Sequence, residues 1–197
     1  ALHRLAGREE DRLLFDYQRE IARWFGYRDA DDRLAVETFM HDYYRHVLAL
    51  TEVNDIVLQH IDESLKDPES TVQEGIDEDF RRVNDCIEAV DETLFREKPG
   101  AMLRIFLVLA HRPDIRRVGA RTIRLLRDAV PLIDEDFRND PENCAQFLAL
   151  LRAPNKLVTQ LTRMRRWGVL GRYIPEFGRI IGQMQHDLFH VYTVDAH

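Results

Sequence analysis

Arg33-Leu-Ala-Val-Glu-Thr-Phe-Met-His-Asp-Tyr-Tyr-Arg-His-Val-Leu-Ala-Leu-Thr-Glu-Val-Asn-Asp-Ile-Val-Leu-Gln-His-Ile-Asp-Glu-Ser-Leu-Lys66 is the stretch that decides the fold class. Its apolar residues, among them Leu34, Phe39, Met40, Tyr43, Val47, Leu50, Val57 and Ile61, recur every three or four positions, as one face of a helix requires. No Gly or Pro interrupts the run, so the spacing predicts a single helix of about nine turns. Asp29-Ala-Asp-Asp32 precedes it, and Asp31 or Asp32 is the expected N-cap, because a short carboxylate accepts from the free first-turn amides.

Working outward, Leu5 to Gly26 reads as another amphipathic helix, with Leu13, Leu14, Tyr17, Ile21, Trp24 and Phe25 on one face and Gly26 placed to end it. Part of that face is expected to be exposed, so that it folds back or pairs with a second copy. Residues 67–79 are acidic and turn-rich and read as a loop. Residues 80–90 form the one strand-like passage, with Asn84-Asp85 between two β-prone runs, a small hairpin. Ala101 to His111 is strongly apolar and central to the core. Arg121 to about Ile133 is a helix that Pro131 kinks or ends. Asp140 as cap with Pro141 at the first helical position opens a helix to about Arg152, Asn155 to Trp167 forms the next, and Pro175 to Gln185 a short one. The expected fold is all-α, about eight helices in an irregular bundle with one small β-hairpin near 80–90. No repeat of 20–50 residues is visible.

The chain has 197 residues, 45% of them hydrophobic and 32% charged, with 9 Gly and 7 Pro. Its mean hydropathy is −0.40. Such a chain buries about 70% of its unfolded surface, enough for a real core. Scarce Gly and Pro argue against a barrel or sandwich. No apolar run is long enough to cross a membrane. The opening Ala1-Leu-His-Arg has no Met and no basic-then-apolar signal pattern, as expected of an excised or processed piece without a secretory leader. Two cysteines, Cys86 and Cys144, make neither a disulfide scaffold nor a zinc cluster, so a reducing, cytoplasmic setting is expected. The net charge of −7 is uneven: residues 1–99 carry 13 Lys/Arg against 25 Asp/Glu, residues 100–197 carry 15 against 10. The arginines lack interleaved stacking aromatics, so a nucleic-acid partner is not expected.

Phosphate loops, dinucleotide-binding glycine runs and a nucleophile elbow are all missing. No catalytic residue is expected. Cys144 reads as a buried thiol beside Phe147, Leu148 and Leu151. His41, His46 and His60 ride the long helix at spacings that make no ligand pair, and read as surface or packing residues. His111 is placed to satisfy the last carbonyls of its helix. The segment Gln183-Met-Gln-His-Asp-Leu-Phe-His-Val-Tyr-Thr-Val-Asp-Ala-His197 is richer: on a continuous helix His186 and His190 lie at i, i+4, and His197 falls near the same face. Imidazoles and carboxylates suit a divalent metal, but they also suit a polar junction awaiting partners.

That segment closely resembles the opening of the HD domain in the bacterial bifunctional PII uridylyltransferase/uridylyl-removing enzyme family. Thr122-Ile-Arg-Leu-Leu-Arg127, Leu150-Leu-Arg152, Gly168-Val-Leu-Gly-Arg-Tyr-Ile-Pro-Glu-Phe177, Leu2-His-Arg-Leu-Ala-Gly-Arg-Glu-Glu-Asp-Arg-Leu-Leu-Phe-Asp16 and Phe39-Met-x-x-Tyr-Tyr-Arg45 resemble it too, so the likeness covers essentially the whole chain. It implies a family enzyme with a nucleotidyltransferase domain, a helical connector, an HD hydrolase domain and two glutamine-sensing ACT domains. Residues 1–28 would be the last helix of the transferase, 29–183 the connector, and 184–197 the entry of a truncated HD domain. The resemblance implies that His197 is the first HD metal ligand of an incomplete site and that His186-Asp187 is not the metal dyad. His186, Asp187 and His190 would line the junction. Mg²⁺ or Mn²⁺ and UTP would belong to the parent enzyme, none to this piece, and the PII protein would be the parent's partner, with self-association of the piece also expected. A plain helical interaction module and the connector of a glutamine-synthetase adenylyltransferase are the competing readings.

Overall fold

The computed structural model describes residues 1–30, 33–65, 72–153, 156–183 and 193–194, excepting the side chains at 62 and 63. They divide into two compact units, residues 1–50 with 179–197 and residues 51–178.

In the first unit, α1 (Leu2–Ala6) ends at Gly7 and α2 spans Phe15–Trp24. The predicted single helix from Leu5 to Gly26 is therefore two, because Gly7 adopts a left-handed φ of 65°. Gly26 ends α2 as expected: at φ 86° it donates to Arg23 while Tyr27 donates to Ala22, the paired bonds of a Schellman cap. The long helix α3 runs Ala35–Ser64. Its first free amides are met by side chains, since Asp29 Oδ1 accepts from Ala35 N (2.7 Å) and Glu37 Oε2 from Leu34 N (3.1 Å). The expected caps, Asp31 and Asp32, lie outside the described residues. Ile21 and Ala22 of α2 meet Val36, Phe39 and Met40 of α3 in a small core. The expected exposure of the α2 face is present: Trp24, Phe25 and Leu14 all reach solvent.

The second unit overturns the all-α expectation. It carries a four-stranded mixed sheet in the order β1-β2-β3-β4, from β1 (Gln73–Gly75), β2 (Phe80–Val83), β3 (Cys86–Ala89) and β4 (Arg117–Val118). The first three pair antiparallel and β4 joins β3 in parallel. Eleven helices, not about eight, are present among the described residues of the chain. The hairpin itself is where Asn84-Asp85 placed it, with Val83 opposite Cys86 and Asn84 at φ 56°. It is one part of a larger sheet, because Asp85 anchors β4: its carbonyl accepts from the amides of Arg116 and Arg117, and its carboxylate from the Arg117 guanidinium. Gln73–Gly75 falls in the expected loop. It is polar and exposed at all three positions, so no alternation marked it as strand.

Helices α4 (Leu94–Glu97), α5 (Ala101–His111), α6 (Ala120–Ala129), α7 (Glu135–Asn139), α8 (Pro141–Leu151), α9 (Leu157–Arg166), α10 (Val169–Tyr173) and α11 (Pro175–Ile180) complete the chain. α5 is buried nearly all round through Met102, Leu103, Ile105, Phe106 and Leu109, each worth about 1.5–3 kcal/mol of transfer free energy. It packs on α8 and α9, and Phe106 lies 5.6 Å from Trp167. α6 reaches β3 through Thr122 Oγ1, which accepts from Ala89 N (3.0 Å). Pro131 ends α6 in a 3-10 turn, Val130–Leu132. Asp134 and Asp140 cap α7 and α8, accepting from Phe137 N and Asn143 N at 2.9 Å each. Cys144 is only half-buried, since α8 turns Asn143 and Leu150 inward and leaves Leu148 and Leu151 exposed.

Candidate functional site

The second unit contains an open polar cleft of about 750 Å³. One wall comes from the start of β2 and the α4–α5 junction, the other from α7 and α8. Asp79 organises the first wall. It is 7% exposed, and its carboxylate holds Lys98 Nζ (2.9 Å) and the Arg104 guanidinium. Glu78 takes a second bond from Lys98 (2.9 Å), and Asp77 lies 3.6 Å from Arg104. These two carboxylates, Asp79 first, push the Lys98 pKa up. The Arg104 guanidinium also lies over the Phe80 ring at 5.2 Å. Local turn chemistry sets this up, because Asp77 Oδ1 accepts from the amides of Asp79 (2.9 Å) and Phe80 (2.8 Å), turning the chain into β2.

On the second wall, Asp134 and Asp140 are spent as helix caps. Asn143 donates to the Phe137 carbonyl (3.0 Å). Gly100 lets α5 approach it: a Cβ there would stand 2.8 Å from Asn143 Oδ1. Gln146 Oε1 is buried without a hydrogen-bond partner among the described residues. Lys98 and Arg104 are thus committed to carboxylates, and among the described residues no nucleophile–base pair lines the cleft. Among the described residues, no group of three or more His, Cys, Asp or Glu side chains could hold a metal ion. The cleft's ion pairs tie the turn before β2 to the α4–α5 junction within the first wall.

A second polar cluster clamps residues 51–64 of α3. Glu52 lies 3.5 Å from Arg127, Asp55 2.7 Å from Arg166, and Gln59 donates to the Val118 carbonyl, while Ile56 packs on the main core. Burial pushes the Glu52 pKa up, against the pull of Arg127, Arg166 and Arg165.

His197, the expected metal ligand, and the expected junction residues His186, Asp187 and His190 lie outside the described residues. Of the other histidines, His3 lies 3.3 Å from Asp11, and three donate to main-chain carbonyls. His41 Nε2 donates to the Ile181 carbonyl (3.0 Å), His46 Nδ1 to that of Asp42 (2.7 Å), and His111 Nδ1 to that of Leu107 (2.9 Å) at the end of α5. The Asp79 cluster was not anticipated from sequence. Its only early signal is the charge-dense Asp77-Glu-Asp79, which reads equally well as a solvated loop.

Residues 80–173 match the family model described as the third domain of uridylyltransferase GlnD, and residues 1–58 match the model described as GlnD PII-uridylyltransferase. The chain belongs to the GlnD family. Similar relatives are the bifunctional uridylyltransferase/uridylyl-removing enzymes of Pseudomonas aeruginosa and Azotobacter vinelandii, each 52% identical over 198 aligned residues. That of Pseudomonas syringae pv. tomato is 50% identical over 197. Each alignment covers 100% of this chain and 22% of the relative, so the chain spans about a fifth of the length of these GlnD proteins. No solved structure matches it. The GlnD third-domain model starts at β2 and ends at α10; it takes in the second wall of the cleft and the α4–α5 part of the first, and begins one residue after Asp79. Among the described residues, no helix is long and apolar enough to cross a membrane.

Proposed function

We propose that this chain is the helical connecting part of a cytoplasmic, bifunctional PII uridylyltransferase/uridylyl-removing enzyme, and that it is not catalytic by itself. The parent enzyme transfers UMP from UTP to a tyrosine of the PII protein and removes it again by hydrolysis. Mg²⁺ or Mn²⁺ and UTP belong to the parent's other domains, with residues 1–28 leading out of the transferase and 184–197 leading into the HD domain. The observation that carries this reading is the 52% identity along the entire chain to enzymes of that name.

The packing described above suits a spacer. α3 is a 30-residue helix with no internal Gly or Pro, which sets a length of about 45 Å at 1.5 Å per residue. Its later turns are held to the second unit by ion pairs and by Ile56. The test is the intact mass of a PII protein incubated with this chain, UTP, Mg²⁺ and Mn²⁺, beside the same reaction with a full-length family enzyme. The expected result is no uridylyl adduct with the chain and an adduct with the full-length enzyme. An adduct with the chain alone would refute the connector reading.

A further inference from the structure

The first unit carries an aromatic pocket of about 440 Å³, lined by Phe25, Tyr27, Phe39, Asp42, Tyr43 and His46. The cap of α2 builds one side of it. Gly26, left-handed at φ 86°, separates Phe25 from Tyr27. Phe25 then stacks on Phe39 at 6.0 Å, and Tyr27 meets the same ring edge-on at 5.6 Å. Tyr43, one turn along α3, continues the aromatic lining 6.3 Å from Phe39. Phe25 remains 62% exposed and Tyr43 39%, although each is held in a ring-to-ring contact.

The carboxylate in this pocket is placed but not neutralised. Tyr27 Oη donates to Asp42 Oδ2 (2.8 Å). Among the described residues the basic nitrogen that approaches the Asp42 carboxylate is His41 Nδ1 at 3.9 Å, and no Lys or Arg pairs with it. His46 is tied to the Asp42 main-chain carbonyl rather than to its carboxylate. Ring faces around an unpaired carboxylate attract a cation, the rings through their quadrupoles and the carboxylate by charge. A planar guanidinium suits the set better than an ammonium, since it can stack on Phe25 or Tyr43 and still direct two N–H groups at one carboxylate.

We propose that this pocket is the seat of an arginine side chain presented by another segment of the full-length family protein. The matched stretch is 22% of the relatives, so most of such a protein lies outside it. Residues 1–50, which contain the pocket, carry 10 Asp/Glu against 8 Lys/Arg, so the Asp42 carboxylate itself is the main attraction for a basic visitor.

The test is saturation-transfer NMR with N-acetyl-arginine methylamide as probe and N-acetyl-leucine methylamide as its uncharged counterpart. The 197-residue chain should show saturable transfer to the arginine probe, several-fold tighter than to the leucine probe. Asp42→Asn keeps the acceptor for Tyr27 and should weaken arginine binding about tenfold. Phe25→Ala removes an exposed ring and should weaken it several-fold while the fold survives. A full-length family enzyme should show little transfer, its pocket being filled. Absence of saturable binding to the chain, equal binding of leucine, or an unchanged Asp42→Asn variant would each overturn the proposal. Equal binding by the full-length enzyme would overturn the intramolecular source in favour of a separate partner. Arginine binding that falls as chain concentration rises would overturn it in favour of a second copy.

Discussion

The two units differ most in how they treat aromatic and aliphatic side chains. In the second unit, among the described residues, 24 buried side chains form one cluster centred on α5, and Phe80, Phe95 and Phe106 are each at most 1% exposed. In the first, among the described residues, Ile21, Ala22, Val36, Phe39 and Met40 form the buried cluster, while Trp24, Phe25 and Tyr43 lie at the surface. Both sequences are helical and amphipathic. The lesson is that amphipathicity guarantees a helix but not a closed core, which needs apolar faces on three or more elements converging at one place.

The comparison can be broken or sharpened by substitution. The largest effect is expected for Phe106→Ala, about 3–5 kcal/mol, because a fully enclosed ring leaves a cavity. Phe39→Ala should cost less, about 2 kcal/mol, since its neighbours can close in from an open side. Urea unfolding of both variants reads the difference, and equal losses would erase the distinction between the two cores. Next comes Asp79→Asn, expected to cost about 2 kcal/mol by leaving Lys98 and Arg104 with a neutral partner. An unchanged midpoint would mean that the first wall is held by packing alone. Gly26→Ala forces a Cβ into a left-handed conformation and should cost about 1 kcal/mol in the first unit.

The smallest effect is a pH dependence in the second unit. Asp114 bonds the Arg112 guanidinium and lies beside Arg82, which pulls its pKa down from 3.8 to about 2. A carboxylate with a lowered folded pKa adds stability above its unfolded value and loses it as pH falls through the folded one. The contribution should therefore be present above pH 3.8 and fade toward about 2. Asp114→Asn should flatten that part of the acid limb, as followed by circular dichroism; an unaltered limb would assign acid sensitivity elsewhere.

Much of this was legible because local chemistry decided it. Gly26 ended α2, Asp140-Pro141 opened α8, Asn84-Asp85 turned the hairpin, and the uninterrupted spacing from residue 33 marked α3 to within two residues at each end. The sheet was underestimated because two of its strands are too short to show a period. β4 has two residues, and β1 is Gln-Glu-Gly with no apolar member. Their pairing comes from tertiary contacts, chiefly Asp85 with Arg117. The break between α1 and α2 was missed because Gly7 sits inside a continuous amphipathic pattern. Cys144 was misplaced because α8 buries Asn143, a polar residue with bonded partners, on the side that counts. Of the candidate site residues, the Asp79 cluster joins residues 77–79 to Lys98 and Arg104, far apart in sequence, so no local motif spells it.

Residue-resolved hydrogen exchange of the 197-residue chain tests the contrast between a closed and an open core most directly. The account predicts that amides of α5, α6 and the middle strands exchange only with global unfolding of the second unit. Amides of α2 and of residues 36–40 should exchange at least tenfold faster. Equal protection in both regions would contradict it, because the first unit's core would then be as complete as the second's.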